Sequence, residues 1–276
     1  MKVQDVAIIG GGLVGLCAAL ALRQIERQIL IIESSTPEQS LQAEPTGLDV
    51  RSIALSYASV QVFKALGVWH QIKKYATPIR KIHISAQGQF GVTRLSADDY
   101  GLDAMGFVIE NQVLIESLLG AVQGSPMITL KTAAEYDSLD LAAKPELQYR
   151  HQGQRQALKA SLVLITDGAR SSARTDIGID HRNIDYGQNA LITNLNVSHP
   201  QAGFAYERFT PDGPLAMLPL GQNRYACVWT HAPVKTGELM GLDDQGLGSA
   251  LQQNFGFRLG YIEQLGKRFS FPVQRT

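Results

Sequence analysis

The chain lacks several of the features that usually announce a function. Only two cysteines occur in 276 residues, Cys17 and Cys227, both in apolar surroundings, so neither a disulfide framework nor a CxxC metal knuckle is available. That usage fits a reducing compartment, and a cytoplasmic location is expected. Lys+Arg and Asp+Glu each number 25, which leaves no net charge to draw the chain onto nucleic acid or an anionic membrane. The six histidines lie at 70, 83, 151, 181, 199 and 231, with no HxxxH spacing and no company of cysteine or paired acids, so no metal site is expected. No GxSxG elbow surrounds Ser171-Ser172, which reads as a helix cap, while Asp98-Asp99 and Asp243-Asp244 sit in polar, turn-like segments and read as solvated. No catalytic side chain is assigned. Internal repeats and low-complexity tracts are absent, and no stretch approaches the roughly 20 uninterrupted apolar residues of a spanning helix. An apolar fraction of 45% with 18% charged residues is that of a globular protein with a real core.

What is present begins at DVAIIGGGLVG, residues 5 to 15. A secretion signal is disfavoured there, because Asp5 replaces the positive n-region, the three glycines interrupt an insertion helix, and no small-x-small cleavage site follows. Asp5 to Ile9 reads as a buried parallel strand, Leu13 to Leu22 as a helix, and Gln28 to Glu33 as a second buried strand. Within this βαβ unit, Gly10-x-Gly12-x-x-Gly15 falls at the strand-to-helix junction and Glu33 ends the second strand. Gly10 permits a tight turn, Gly12 lets a pyrophosphate approach the backbone, Gly15 lets helix and strand pack closely, and Glu33 can accept both ribose hydroxyls. Dinucleotide binding is expected, and an acid at 33 disfavours a 2'-phosphate.

Farther along, RSIALSYASVQVFKALG places Ser56 as cap of a helix that turns Val60, Phe63 and Leu66 inward and ends at Gly67. Arg51, just ahead of that helix, is placed to reach a pyrophosphate. GFVIENQVLIESLL gives a strand and a helix with Asn111 as cap and Gln112 in the first turn, and LVLITDGARSSAR runs from a buried strand into Asp167-Gly168. In IRKIHISA, the Ile82/Ile84 alternation predicts a half-buried strand. From about residue 181 the texture changes to short strands divided by turns, FAYERF, PLAMLPL and RYACVWTH, which is the pattern of an antiparallel sheet. The strand in GPLAMLPL sets Leu215, Met217 and Pro219 on one face, with no cation to hold a carboxylate, so an apolar, uncharged substrate fits a pocket they would line. Each of them serves equally well as ordinary sheet core.

The GxGxxG opening, RSIALS, IENQVL and the DG-x-x-S-x-x-R element, in this order, resemble the single-component flavoprotein aromatic hydroxylases, and within them the branch that hydroxylates ubiquinone precursors. The resemblance runs from residue 3 to residue 276 and implies an α/β fold: a Rossmann-like FAD-binding domain of residues 1–75 and 105–180, with a β-sheet substrate domain of residues 76–104 and 181–276. By it, Gly10, Gly12, Gly15 and Glu33 would hold the adenosine half of FAD, Arg51 the pyrophosphate, and Gln112 the flavin side, where this branch often has Arg. Asp167 and Gly168 would serve FAD and the passing NAD(P)H. Thr166, where Ala is usual, reads as packing. The implied activity is hydroxylation of a polyprenylated phenol, with NAD(P)H, O₂ and a flavin C4a-hydroperoxide. Such a substrate allows peripheral membrane contact and a place in an assembly of ubiquinone-biosynthesis enzymes. The family's second flavin motif, GD-x-x-H-x-x-x-P, does not occur in residues 1–276. A truncated chain without the C-terminal motif and helices, weak in FAD and impaired in turnover, is therefore expected. The alternatives are a non-catalytic lipid-precursor-binding or assembly component and a related flavin-dependent reductase, which flavin absorbance and NADH oxidation with and without substrate would separate.

Overall fold

The apolar runs on either side of the glycines are buried on both faces, as strands inside a parallel sheet must be. In the computed structural model of the chain, which describes residues 2–36, 48 and 51–276, they form β1 (Lys2–Ile9) and β2 (Ile29–Ile32), joined by helix α1 (Leu13–Leu22). There follow β3 (Ser52–Ser56), α2 (Tyr57–Ala65), α3 (Trp69–Ile72), β4 (Thr77–Ile79), β5 (Lys81–Ala86), β6 (Val92–Ser96), β7 (Gly106–Glu110) and α4 (Asn111–Gln123). Next come β8 (Ile128–Lys131), β9 (Ala134–Asp140), β10 (Glu146–His151), β11 (Gln154–Ile165) and α5 (Ser172–Asp176). The last third holds β12 (Ile184–Val197), β13 (Phe204–Thr210), β14 (Gly213–Pro219), β15 (Arg224–His231), α6 (Pro233–Gly241), α7 (Asp244–Phe255), β16 (Ile262–Leu265) and β17 (Phe269–Arg275).

A six-stranded sheet runs β8-β2-β1-β11-β10-β9, parallel across its first four strands and antiparallel through the β9-β10-β11 meander. On one face Val6, Ile8, Ile29 and Ile31 pack under Leu16 and Leu20 of α1 and Leu114 and Leu118 of α4. On the other, Ala7, Ile9, Leu30 and Ile32 meet Leu147, Tyr149 and Leu158, because the meander curls over that side. The end of β11 is less covered than a central strand would be, and Leu162 is 45% exposed. The small antiparallel sheet β3-β7-β4 leads into α2, which Ser56 caps by accepting the Ser59 N–H at 3.2 Å, and Val60, Phe63 and Leu66 point inward as expected.

The large sheet runs β16-β12-β15-β14-β13-β5-β6, with β17 also on β12. It is antiparallel except where β5 meets β13, a parallel pair. That exception arises because β5 enters from the first half of the chain rather than through a hairpin with β13. Helices α6 and α7 cover one face, burying Leu239, Leu247, Leu251 and Phe255 on Leu191, Tyr206, Met217 and Trp229. Asp243 is a cap rather than a solvated acid, since it accepts the Gly246 N–H at 2.7 Å, and Asp244 pairs with Arg268. No helix among the described residues is long and apolar enough to cross a membrane.

The row of β5 that is most buried is not Ile82/Ile84 but His83/Ser85, on the helix-covered face. His83 Nε2 and both ring nitrogens of His231 are buried without a hydrogen-bond partner among the described residues. Burial holds the His83 imidazole below its ordinary value, assisted by the positive charges of Arg258, Arg94 and Arg208. Burial does the same at His231, where Lys235 adds to it and Asp212 opposes it. The unfolded chain then binds these protons first, so stability falls as the pH drops below the ordinary histidine value of about 6.5, and the loss ends once the folded imidazoles also protonate. Each group should contribute a slope of up to about 1.4 kcal/mol per pH unit in that window. Urea-unfolding free energies measured from about pH 8 to about pH 5.5 should fall accordingly, and His231→Phe should flatten part of the slope. An identical slope in the variant would remove His231 from the account.

Candidate functional site

Four sequence-predicted residues come together because β1 lies parallel between β2 and β11, so that all three strands end at one edge. Gly10 leaves β1 with φ 99°, and a Cβ there would lie 2.6 Å from the Thr166 carbonyl oxygen. A Cβ at Gly15 would stand 1.9 Å from the Gly10 carbonyl oxygen, so the first turn of α1 passes the strand end with no room for a side chain. Gly12 is different. It is exposed, its φ of −72° suits any residue, and a Cβ would meet nothing within 4 Å among the described residues. Space is therefore kept in front of Gly12, at the N-terminus of a ten-residue helix that has no side-chain cap and no acid in its first turn. Unpaired N–H groups and the positive end of the helix dipole there suit a phosphate.

Glu33 stands on the other side of this space. Its Oε2 accepts the Gly11 N–H at 2.6 Å, while Oε1 accepts the Ser35 N–H at 2.9 Å and the Ser35 hydroxyl at 2.6 Å. Burial raises the carboxyl, but the bonds from Ser35, Gly11 and Ser34 together outweigh it and hold the group below its ordinary value. Glu33 is thus an ionised acceptor whose Oε2 retains a lone pair. A cavity of about 280 Å³ joins Gly10, Glu33, Ser34, Tyr136, Asp167 and Arg170.

Thr166 does more than pack. Its hydroxyl reaches the Ile9 carbonyl at 2.9 Å and the Gly10 carbonyl at 2.8 Å, and its N–H donates to Ile9 at 2.8 Å. It fixes the glycine turn to the end of β11. Asp167 follows, with Oδ2 accepting the Ala173 N–H at 3.4 Å and Oδ1 buried without a partner among the described residues. Gly168 turns at φ 90°, and Ser171 caps α5 by accepting the Arg174 N–H at 2.9 Å. Tyr136, Arg170 and Thr166 were not assigned to a site from sequence: β9 carries Tyr136 in from a distance, and nothing local distinguishes Thr166 and Arg170 beside Asp167-Gly168.

Arg51 and Gln112 form a second group. Arg51 precedes strand β3 rather than a helix, and its carbonyl accepts the Asn111 N–H at 2.9 Å, which sets it beside the start of α4. The cap position of α4 belongs to Glu110, without a side-chain cap, and Asn111 is the first helical residue. Gln112 is half-buried and donates to Glu116 at 2.9 Å. Glu110 pairs with Arg224 of the large sheet at 3.4 Å.

Leu215 and Met217 are fully buried in the core beneath α6 and α7, and Pro219 is buried in the same row, so the three do not line an open pocket. Strand alternation turns Pro214, Ala216 and Leu218 the other way, to a half-buried face that the small sheet covers only at one end, through Ile79, Val108, Ala205, Leu220 and Ala226.

A glycine cradle backed by a parallel sheet, with an acid at the end of the second strand, defines a dinucleotide-binding fold. The chain belongs to the FAD binding domain family, which matches residues 3–263. It is 32% identical over 273 residues to ubiquinone hydroxylase UbiL of Rhodospirillum rubrum, covering 99% of this chain and 62% of that protein. It is 30% identical to 3-demethoxyubiquinol 3-hydroxylase of Escherichia coli, covering 98% and 68% respectively. The chain thus spans about two thirds of the length of these relatives. The fold is also that of p-nitrophenol 4-monooxygenase PnpA from Pseudomonas putida, with a TM-score of 0.75 at 16% identity over 99% of this chain and 69% of that one.

The two outer glycines and Gly12 should behave oppositely when substituted. Gly15→Ala is expected to cost about 3 kcal/mol or more of stability, because backbone must move. Gly12→Val should leave the melting temperature nearly unchanged and abolish flavin binding, because its side chain fills the space kept for phosphate. Thermal melts paired with flavin titration check both, and undiminished FAD affinity in Gly12→Val would remove the cradle assignment.

Proposed function

We propose that the chain is the FAD-binding and substrate-binding part of a flavoprotein monooxygenase that hydroxylates an apolar phenol in ubiquinone biosynthesis. The observation that carries this reading is the space in front of Gly12 at the N-terminus of α1, beside Glu33, which with Gly10 and Asp167 also lines a cavity at the same strand ends. The residues present fit FAD. Gly12 and the first N–H groups of α1 would receive the pyrophosphate, Glu33 the ribose hydroxyls, and the unpartnered Asp167 Oδ1 a donor from the cofactor. Arg51 would neutralise phosphate charge, and Gln112 would stand on the flavin side. When bound, FAD supplies activation of O₂ with electrons taken from NAD(P)H. The chain's own part is to hold the cofactor, lay the ring on the half-buried sheet face, and keep water from it.

In this reading the cradle, strands β3 and β7 of the small sheet and the meander form a discontinuous FAD-binding domain, residues 1–75 and 105–180, and residues 76–104 and 181–276, with the large sheet, α6 and α7, serve the substrate. The relatives named above support the ubiquinone branch. A polyprenyl tail would bring the protein to a membrane surface as a peripheral contact, and an assembly with other enzymes of the branch is compatible with that. Titration with FAD should develop the absorbance of bound flavin, and NADH or NADPH oxidation by the FAD-loaded protein with and without a prenylated phenol separates a hydroxylase from a reductase. Glu33→Ala should weaken FAD by about 1.5–3 kcal/mol, the loss expected for hydrogen bonds to a charged acceptor. Flavin titration of both proteins reads this directly, and equal dissociation constants would place the ribose elsewhere.

A further inference from the structure

The sheet face assigned to the substrate has one feature that cofactor binding does not use. Strand register sets Ile84, Glu207, Ala216, Val228, Ile192 and Phe269 in one row across six strands, and all six are half-buried. The flanking rows carry Ala205, Leu218, Ala226 and Asn194 on one side and Phe209, Pro214, Thr230 and Ala190 on the other, so the floor is largely but not wholly apolar. Among the strand residues of these three rows, Glu207 is the one charge. Its carboxylate has no hydrogen-bond or salt-bridge partner among the described residues. The nearest cation in register on this face, Arg224, lies two rows beyond Val228 and is engaged with Glu110.

A carboxylate set in a largely apolar floor without a partner costs free energy, and packing does not call for it. What it would welcome is a hydrogen-bond donor on an otherwise apolar body. It would repel a benzoate-type anion and would gain nothing from an ether or a hydrocarbon. A neutral phenol meets each of these conditions.

We propose that Glu207 determines the substrate class, its carboxylate accepting the hydroxyl hydrogen of a phenol laid on this face and then taking that proton as general base. This rests on the hydroxylase reading given above. In the step, the phenol O–H bond breaks, an O–H bond forms on Glu207, and the electron pair stays on the phenolic oxygen, which makes the ring a better nucleophile. Burial raises the Glu207 carboxyl above its ordinary value, which narrows the gap to a phenol near 10.

The test is calorimetric binding of 2-prenylphenol and of its methyl ether, 2-prenylanisole, to the FAD-loaded protein and to Glu207→Gln and Glu207→Leu. Wild type should prefer the phenol by about tenfold or more, a preference that a hydrogen bond to a charged acceptor supplies. Glu207→Gln should reduce that preference to roughly two- or threefold, and Glu207→Leu should bind the ether at least as well as the phenol. The melting temperature of Glu207→Leu should equal or exceed that of wild type, since an unpartnered acid is removed. The wild-type preference persisting in both variants would overturn the role of Glu207 while leaving the hydroxylase reading intact. A wild type that binds both probes equally would also overturn it. Binding of neither probe to the FAD-loaded protein would overturn the phenol reading and this proposal together. A large fall in melting temperature for Glu207→Leu, with the phenol preference kept in Glu207→Gln, would make the residue structural.

Discussion

The parallel pairing of β1 with β11 is the constraint on which the site depends. It joins residues 157 positions apart, Ile9 and Thr166, and so must be made by the folded sheet rather than by local chain preference. Once made, the Thr166 hydroxyl reaches the Gly10 carbonyl at the strand end and joins the Thr166 N–H at the Ile9 carbonyl. The turn is then pinned between Thr166 on one side and Glu33, which accepts the Gly11 N–H, on the other. Without that pair the three glycines would be the most flexible part of the chain, since glycine loses more backbone freedom on folding than any other residue. With it, the N-terminus of α1 is aimed at a fixed space. The glycine sequence supplies permission for the geometry, and the sheet enforces it.

The large sheet solves a different problem. A sheet with both faces covered by helices offers no place for a flat ligand, and one with both faces open does not fold. Here α6 and α7 bury the row that includes Leu215, Met217 and Trp229, while the small sheet reaches only the Ala205, Leu220 and Ala226 end of the opposite face. The stability of this half comes from the covered face. The opposite face carries Glu207, half-buried between Ile84 and Ala216.

Much of this was legible in the sequence, and the parts that were not share a cause. The βαβ unit, the Ser56 and Ser171 caps and the change of texture after residue 180 are local signals, and they are where the periodicity and the glycines put them. Helices α6 and α7 gave little signal because Gly237, Gly241, Gly246 and Gly248 lower their intrinsic preference, and burial against the sheet overrides it. The face of GPLAMLPL that lies open could not be chosen from alternation alone, which offers two equivalent rows. Only the placement of α6 and α7 decides between them. Thr166 and Asn111 were misread for the same reason: their partners are carbonyls brought in from distant parts of the chain, Ile9 and Gly10 for the one and Arg51 for the other.

The two halves meet through an ion pair and an apolar contact. Arg224 and Glu110 are each about one-third exposed (32%/32%) and their 3.4 Å pair is of a kind usually worth less than about 1 kcal/mol, so it does not hold the halves together. The apolar contact of Ile79 and Val108 with Leu220 and Ala226 does that. What the ion pair adds is register. Glu110 is the residue from which α4 starts, Asn111 is bonded to Arg51, and Gln112 follows in the first turn, so fixing Glu110 to the end of β15 fixes the start of the open sheet face relative to all three. In the proposed function, a ring laid along that face would thereby be set at a defined distance from Arg51 and Gln112. Geometry of this kind needs little energy, because a shift of even one residue in the strand would turn the face inward and cost the core far more than the ion pair contributes.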